Sequence, residues 1–65
     1  MDIFVNGEKR ETAANTLPAF VAELGLPPET LLIELNGTAL HRSEWLTSHL
    51  NPNDRLEILR VSAGG

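Results

Sequence analysis

The sequence predicts an α+β fold, in which one helix covers one face of a mixed five-stranded sheet. Two Asn-Gly pairs, Asn6-Gly7 and Asn36-Gly37, each separate two segments rich in strand-forming residues, and Asn-Gly is the strongest short signal for a hairpin turn. Residues 16–25, between these hairpins, have helical apolar periodicity. A last strand-like segment, 55–61, follows a turn cluster. The order of hairpin, helix, hairpin, short turn and strand is typical of a helix packed on one sheet.

The first hairpin is predicted from residues 1–13. Met1–Val5 alternates and is rich in strand formers. Glu8–Ala13 begins with four charged residues and is predicted to be an edge strand, since charges discourage pairing with other chains.

The helix is predicted to begin after Thr16, whose hydroxyl can cap it, with Pro18 in the first turn. One apolar stripe is formed by Leu17, Phe20, Val21 and Leu24. Gly25 stands where a left-handed residue ends a helix, and Pro27-Pro28 prevents the helix from resuming.

The second half of the chain is predicted to add a hairpin, a helical turn and a last strand. The strands are Leu31–Leu35, a short one around Ala39–Arg42, and Arg55–Val61. Ser43 is expected to cap a single turn carrying Trp45 and Leu46, with Trp45 closing the lower edge of the core.

The first and last strands are predicted to lie parallel at the centre of the sheet. Because side chains alternate along a strand, one set faces the helix: Met1, Ile3, Val5, Leu56 and Ile58. The opposite set is Asp2, Phe4, Glu57, Leu59 and Val61. The uncovered face therefore carries apolar residues that the core does not need.

Length and composition limit the functions available. The chain has 65 residues, no cysteine, one lysine and a formal net charge of −4. We expect a single domain spanning residues 1–65, with no room for an enclosed catalytic cavity. A disulfide or thiolate metal site is excluded. The acidic balance argues against nucleic acid and favours a partner with a basic surface, and a cytoplasmic protein without a membrane partner is expected.

The C-terminus is the strongest functional signal in the sequence. Ser62, Ala63, Gly64 and Gly65 are predicted to form a flexible tail. Glycine lacks a Cβ, so such an end can lie extended in a channel too narrow for side chains. Phe4, Leu59 and Val61 are predicted to dock a partner beside this tail. The alternative is a frayed end without a task.

The whole chain resembles the ubiquitin-like β-grasp superfamily, and within it the ThiS/MoaD family of sulfur carriers. The resemblance rests on Met1–Val5, the segment Ile33–Leu40, the segment Arg42–Trp45, Asn53-Asp54, and the Gly64-Gly65 end. The short length favours the carrier of the thiamine pathway over that of the molybdopterin pathway. Ser62 departs from the family, whose members often have an apolar residue there.

The resemblance implies a chemistry for Gly65. Its carboxylate would be adenylated by an E1-like, ThiF-like adenylyltransferase that binds the ATP. Sulfur relayed from a cysteine desulfurase would then convert it to a thiocarboxylate, which donates sulfur to a ThiG-like thiazole synthase. The chain would be a protein co-substrate without a bound cofactor, since it has neither a dinucleotide-binding nor a P-loop motif.

Other interpretations stay open at the level of the sequence. A molybdopterin-pathway carrier, a ubiquitin-like modifier joined to target lysines, and a simple interaction module share the predicted features. No metal site is expected, because His41 and His49 have no cysteine or third histidine beside them. Glu44 and Glu57 could meet a basic partner, although solvated carboxylates are the commoner case.

Overall fold

The computed structural model describes residues 1–61, which form five strands, two α-helices and one 3₁₀ turn. In chain order these are β1 (Asp2–Val5), β2 (Glu8–Glu11), α1 (Leu17–Leu24), the 3₁₀ turn (Pro28–Thr30), β3 (Leu31–Leu35), β4 (Thr38–Leu40), α2 (Arg42–Trp45) and β5 (Arg55–Arg60). This confirms the predicted α+β class. The expected tail, residues 62–65, lies outside the described part of the chain.

The strands form a single mixed sheet in the order β2-β1-β5-β3-β4. The parallel pair β1–β5 lies at the centre, with Val5 opposite Leu56, and every other pairing is antiparallel. Each hairpin turn has its Asn and Gly at positive φ, the backbone geometry that favours Asn-Gly in tight turns. The parallel pairing of β1 with β5 confirms the predicted position of the first and last strands at the centre of the sheet.

Helix α1 covers one face of this sheet and ends as its sequence predicts. The backbone N–H of Ala19 donates to Thr16 Oγ1 at 3.3 Å, which satisfies one free donor of the first turn. Gly25 lies at φ 70° and its N–H donates to the carbonyl of Ala22 at 3.1 Å. A side chain in this left-handed conformation would be strained, so glycine is the natural stop.

The core lies between α1 and the covered face of the sheet. The most buried large side chains are Ile3, Leu17, Phe20 and Leu56. The predicted inward set is confirmed, because Ile58 is buried too, while Met1 and Val5 are partly buried against the cluster. Trp45 is 4% exposed, so its predicted position in the core is also confirmed.

The end of β2 was predicted two residues too late. The strand stops at Glu11 rather than Ala13. Thr12 is buried and still exchanges backbone hydrogen bonds with Met1, at 2.9 and 2.8 Å. Its hydroxyl donates to Glu23 Oε2 at 2.7 Å and accepts the N–H of Ala14 at 3.0 Å. The N–H of Ala14 is thus paired with a nearby side chain and not with a neighbouring strand.

The region after the second hairpin also differs from the prediction. Helix α2 begins at Arg42, with His41 and not Ser43 as its N-cap, so β4 spans Thr38–Leu40 instead of reaching Arg42. The Glu44 carboxylate accepts the backbone N–H of His41 at 2.7 Å, as the last residue of a capping box does.

Two smaller differences concern segments near β3 and β5. The 3₁₀ turn Pro28–Thr30 was not predicted, and β5 ends at Arg60 rather than Val61. No helix within residues 1–61 is both long and apolar enough to cross a membrane.

Candidate docking face and C-terminal strand

Strand β5 connects the core to the predicted tail, and its two faces differ. Leu56 and Ile58 are buried under α1, whereas Leu59 is 64% exposed on the opposite face of the sheet, which we call the outer face. The N–H of Val61 donates to the carbonyl of Thr30 at 2.6 Å. The chain is thus held in a defined direction up to the last described residue, immediately before Ser62.

Both hairpin turns hold β5 through the amide side chains of their asparagines. Asn6 donates from Nδ2 to the carbonyl of Ile58 at 3.1 Å and accepts the N–H of Ile58 at 2.8 Å. Asn36 accepts the N–H of Arg55 through Oδ1 at 2.8 Å. The sequence suggested only turn chemistry for these residues. The structure shows that they also continue the hydrogen bonding of the strand that leads to the tail.

Exposed apolar side chains cluster on the outer face near the end of β5. Leu32 on β3 lies directly opposite Leu59 and is 58% exposed, and Val61, two residues further along, is 48% exposed. We call these three residues the outer leucine patch. A shallow groove of about 170 Å³ beside it is lined in part by Leu32, Leu59 and Ala39.

Of the three predicted docking residues, the structure places Leu59 and Val61 near each other and Phe4 elsewhere. Phe4 is half-buried and pairs with Arg55 at the start of β5. Leu59 lies four positions beyond Arg55, which is about 13 Å along a strand. Phe4 and the outer leucine patch therefore occupy different ends of the outer face.

Leu32 is the member of the patch that sequence reasoning missed. The signal was available, because Leu31 and Ile33 are buried and alternation then directs Leu32 outward. The same alternation had been applied only to the first and last strands.

The charges on the outer face are unevenly distributed. Glu34 lies directly opposite Glu57 beside the outer leucine patch, and neither carboxylate has a cation within 4.0 Å among residues 1–61. At the other end of the face, Lys9 Nζ lies 3.5 Å from Asp2 Oδ2. The patch thus adjoins two unpaired acids, an arrangement that suits a partner with apolar and basic groups.

The histidines and Glu44 lie away from this face. His41 caps α2, and His49 forms an isolated bridge with Thr16. Glu44 is occupied by the capping bond to His41. Within the described chain, no three His, Asp or Glu side chains are grouped as metal ligands.

A small β-grasp domain with an exposed sheet face beside its C-terminal strand is the class of protein that this geometry defines. A sequence model of the ThiS family matches residues 3–65. The chain therefore belongs to the ThiS family, as the resemblance had indicated.

Solved structures agree with this assignment. The crystal structure of the thiamine biosynthesis protein ThiS from Geobacter metallireducens has a TM-score of 0.84, is 25% identical, and the match covers 100% of both chains. An NMR solution structure of a thiamine biosynthesis protein from the same organism has a TM-score of 0.80, with 25% identity and coverage of 100% of this chain and 88% of the other.

One curated relative is much longer than this chain. A thiazole synthase from Paramagnetospirillum magneticum (strain ATCC 700264 / AMB-1) is 32% identical over 66 residues. The match covers 100% of this chain but only 20% of that protein.

Proposed function

We propose that this chain carries sulfur as a thiocarboxylate on Gly65 and delivers it to a thiazole synthase. The observation that carries the proposal is the combination of ThiS family membership over residues 3–65 with a β5 strand that runs directly toward Gly64-Gly65. The finer steps are those that the resemblance to the ThiS/MoaD family implies, and the chemistry of a C-terminal carboxylate is consistent with them.

The carboxylate of Gly65 first has to be activated. An α-carboxyl group has a pKa of about 3.3–3.7, so it is ionised at neutral pH and can attack phosphorus. Attack on the α-phosphorus of ATP forms an acyl-adenylate and releases pyrophosphate. The terminal sulfur of a persulfide relayed from a cysteine desulfurase then displaces AMP and forms an acyl disulfide. A thiol of the partner enzyme cleaves its S–S bond, which releases the thiocarboxylate and leaves a disulfide on the partner. Activation splits one difficult substitution into two easier ones.

The nucleotide site belongs to the partner in this proposal. The sequence has no glycine-rich phosphate loop and no P-loop lysine. The chain is thus a co-substrate of an E1-like adenylyltransferase and binds no cofactor itself. Gly64 and Gly65 offer no side chain, which allows a close backbone approach to the nucleotide. Ser62 and Ala63 complete the proposed tail.

The outer leucine patch is the proposed docking surface for the adenylating enzyme. Leu59 and Val61 precede the tail, so a partner that covers them receives the tail in a fixed direction. Leu32 extends this surface across β3. Phe4, at the far end of the outer face, would contribute only to a partner that covers the whole sheet.

A thiazole synthase is the proposed sulfur acceptor. The Paramagnetospirillum thiazole synthase contains a segment similar to the whole of this chain, which supports a pairing of carrier and synthase. The family match is to ThiS, which favours this acceptor over the molybdopterin pathway.

Intact-mass spectrometry tests the proposal directly. The chain is incubated with an E1-like adenylating enzyme, ATP and a sulfide source, and one terminal oxygen is expected to be replaced by sulfur. A chain that lacks Gly65 should stay unmodified, with loading reduced to background, while its thermal unfolding midpoint is unchanged. Full-length chain that keeps its original mass overturns the proposal.

The same measurement separates the alternatives. Adducts joined to lysines of other proteins would support a modifier. A loaded chain that transfers sulfur to a pterin-processing enzyme and not to thiazole synthase would support the molybdopterin-pathway carrier.

A further inference from the structure

A second apolar groove lies on the helical side of the molecule, away from the outer face. It has a volume of about 420 Å³ and is formed by α1, the 3₁₀ turn and α2. Its lining includes Pro18, Val21, Pro28, Arg42, Trp45 and Leu46. Leu46, at 77% exposed, is the most exposed large apolar residue of the described chain. The proposed sulfur chemistry makes no use of this groove.

Two hydrogen-bond donors at the groove have no acceptor. Trp45 is 4% exposed, and its indole Nε1 has no hydrogen-bond partner among residues 1–61. A buried indole N–H normally finds an acceptor. The Arg42 guanidinium carbon lies 5.9 Å from the centre of the Trp45 ring, and no carboxylate lies within 4.0 Å of this guanidinium in the described chain.

Acidic side chains are absent from the groove lining, although the chain has nine of them. Glu44, which lies on α2 between Arg42 and Trp45, directs its carboxylate to the backbone of His41. The groove thus combines apolar walls with the Arg42 cation and the buried indole N–H of Trp45, neither of which has a partner among residues 1–61. This set is complementary to an apolar group that carries an anionic acceptor.

We propose that this groove binds a peptide segment of a partner protein in which an aliphatic side chain precedes an Asp or Glu. The aliphatic side chain packs on Leu46 and the prolines, and the carboxylate pairs with Arg42. The same segment offers backbone carbonyls, which can supply the acceptor that Trp45 Nε1 lacks among residues 1–61.

A peptide segment that lies along the open groove fits it better than a small molecule that has to be enclosed. Small-molecule sites bury most of the ligand surface, whereas a wall residue here, Leu46, is itself 77% exposed. The groove and the outer leucine patch lie on opposite sides of the sheet. The inference goes beyond the proposed function, because one partner could hold the carrier at the groove while another engages the tail.

An NMR titration of the full chain tests the inference. Trp45 is the only tryptophan, so one indole Nε1–H signal reports on the groove. The probes are an acetylated and amidated leucyl-glutamate dipeptide and its leucyl-glutamine counterpart. The glutamate peptide should shift the indole and Leu46 amide signals to saturation, and the glutamine peptide should bind about tenfold more weakly, since a charged partner strengthens a hydrogen bond.

Two arginine variants provide the matched comparison. Arg42→Gln should lower the affinity for the glutamate peptide to that for the glutamine peptide. Arg10→Gln should leave it unchanged, although Arg10 also lies over an aromatic ring, 5.6 Å from the centre of Phe20. The inference would be overturned if both peptides bound equally well or if the indole signal did not shift. It would also be overturned if hexanoate shifted the same signals as strongly as the glutamate peptide.

Discussion

The two faces of the sheet differ in what accounts for their apolar residues. On the covered face, Ile58 is 8% exposed and packs under α1, so folding alone explains it. On the outer face, its neighbour Leu59 is 64% exposed, and Leu32 opposite is 58% exposed. Exposed apolar residues that cluster beside a functional strand are better explained by binding than by folding. A single strand thus carries both the stability and the proposed docking of the domain.

The largest effect that would test this comparison is a truncation on the covered face. Ile58→Ala should lower the free energy of unfolding by about 2–5 kcal/mol, because it removes transfer energy and leaves a cavity. Leu59→Ala, one residue further, should change it by less than about 0.5 kcal/mol, as exposed substitutions usually do. Denaturant unfolding of both variants measures the difference. Equal losses would show that the faces are not energetically distinct.

The next effect concerns the side chain that joins β5 to the first hairpin. Asn6→Gly keeps a residue that tolerates positive φ but removes both hydrogen bonds to Ile58. We expect a loss of about 1–3 kcal/mol, since the partly buried backbone groups of Ile58 lose their partners. Thermal unfolding and the hydrogen-exchange rate of the Ile58 amide are the measurements.

Asn53→Gly is the matched control for this variant. Asn53 also lies at positive φ, 69°, but its side chain makes no hydrogen bond within residues 1–61. Its substitution should be close to neutral. A similar loss in both variants would mean that the turn geometry, and not the amide of Asn6, stabilises β5.

The predicted fold succeeded because its signals are local. The Asn-Gly turns, the Thr16 cap and the Gly25 stop each depend on neighbouring residues, and alternation then assigned Ile3, Leu56 and Ile58 to the core. The N-cap of α2 was placed wrongly although its signal is also local, since Glu44 accepts the N–H of His41. Contacts distant in sequence give no local signal at all. The bond from the Thr12 hydroxyl to Glu23, eleven residues away, is one such contact.

The candidate site could be predicted only in part for the same reason. The alternation of side chains correctly predicted that Leu59 and Val61 are exposed. The distance between Phe4 and these two residues follows from the register of β1 on β5, and no local sequence pattern determines that register. The bond between Asn6 and Ile58 spans 52 residues. The groove at Trp45 depends on packing between α1 and α2, and it was not predicted.

A docking variant tests the outer face more directly. Leu59→Ser should weaken binding to the adenylating enzyme by about 1–2 kcal/mol, the size expected for an apolar contact at an interface. The free energy of unfolding should change by less than about 0.5 kcal/mol. Isothermal titration calorimetry measures the first quantity and denaturant unfolding the second. Unchanged binding would exclude Leu59 from the docking surface.

The smallest expected effect concerns the acids beside the outer leucine patch. Glu34 and Glu57 face each other across β3 and β5, and like charges directly opposite destabilise a sheet. Glu57→Gln should therefore raise the free energy of unfolding by about 0.2–1 kcal/mol. The gain should shrink as salt is added, because exposed charges are screened. Glu29→Gln, in the 3₁₀ turn, is the control and should show no such gain.

The same substitution should act in the opposite direction on docking. If the acidic pair meets a basic surface of the adenylating enzyme, Glu57→Gln slows association, most clearly at low salt, while the fold becomes more stable. Stopped-flow association rates at two ionic strengths measure this effect. If Glu57→Gln raises the free energy of unfolding but lowers the association rate, the repulsion between Glu34 and Glu57 is retained because a basic partner neutralises both carboxylates. A slower association without added stability would instead show that the two carboxylates do not repel each other in the free protein.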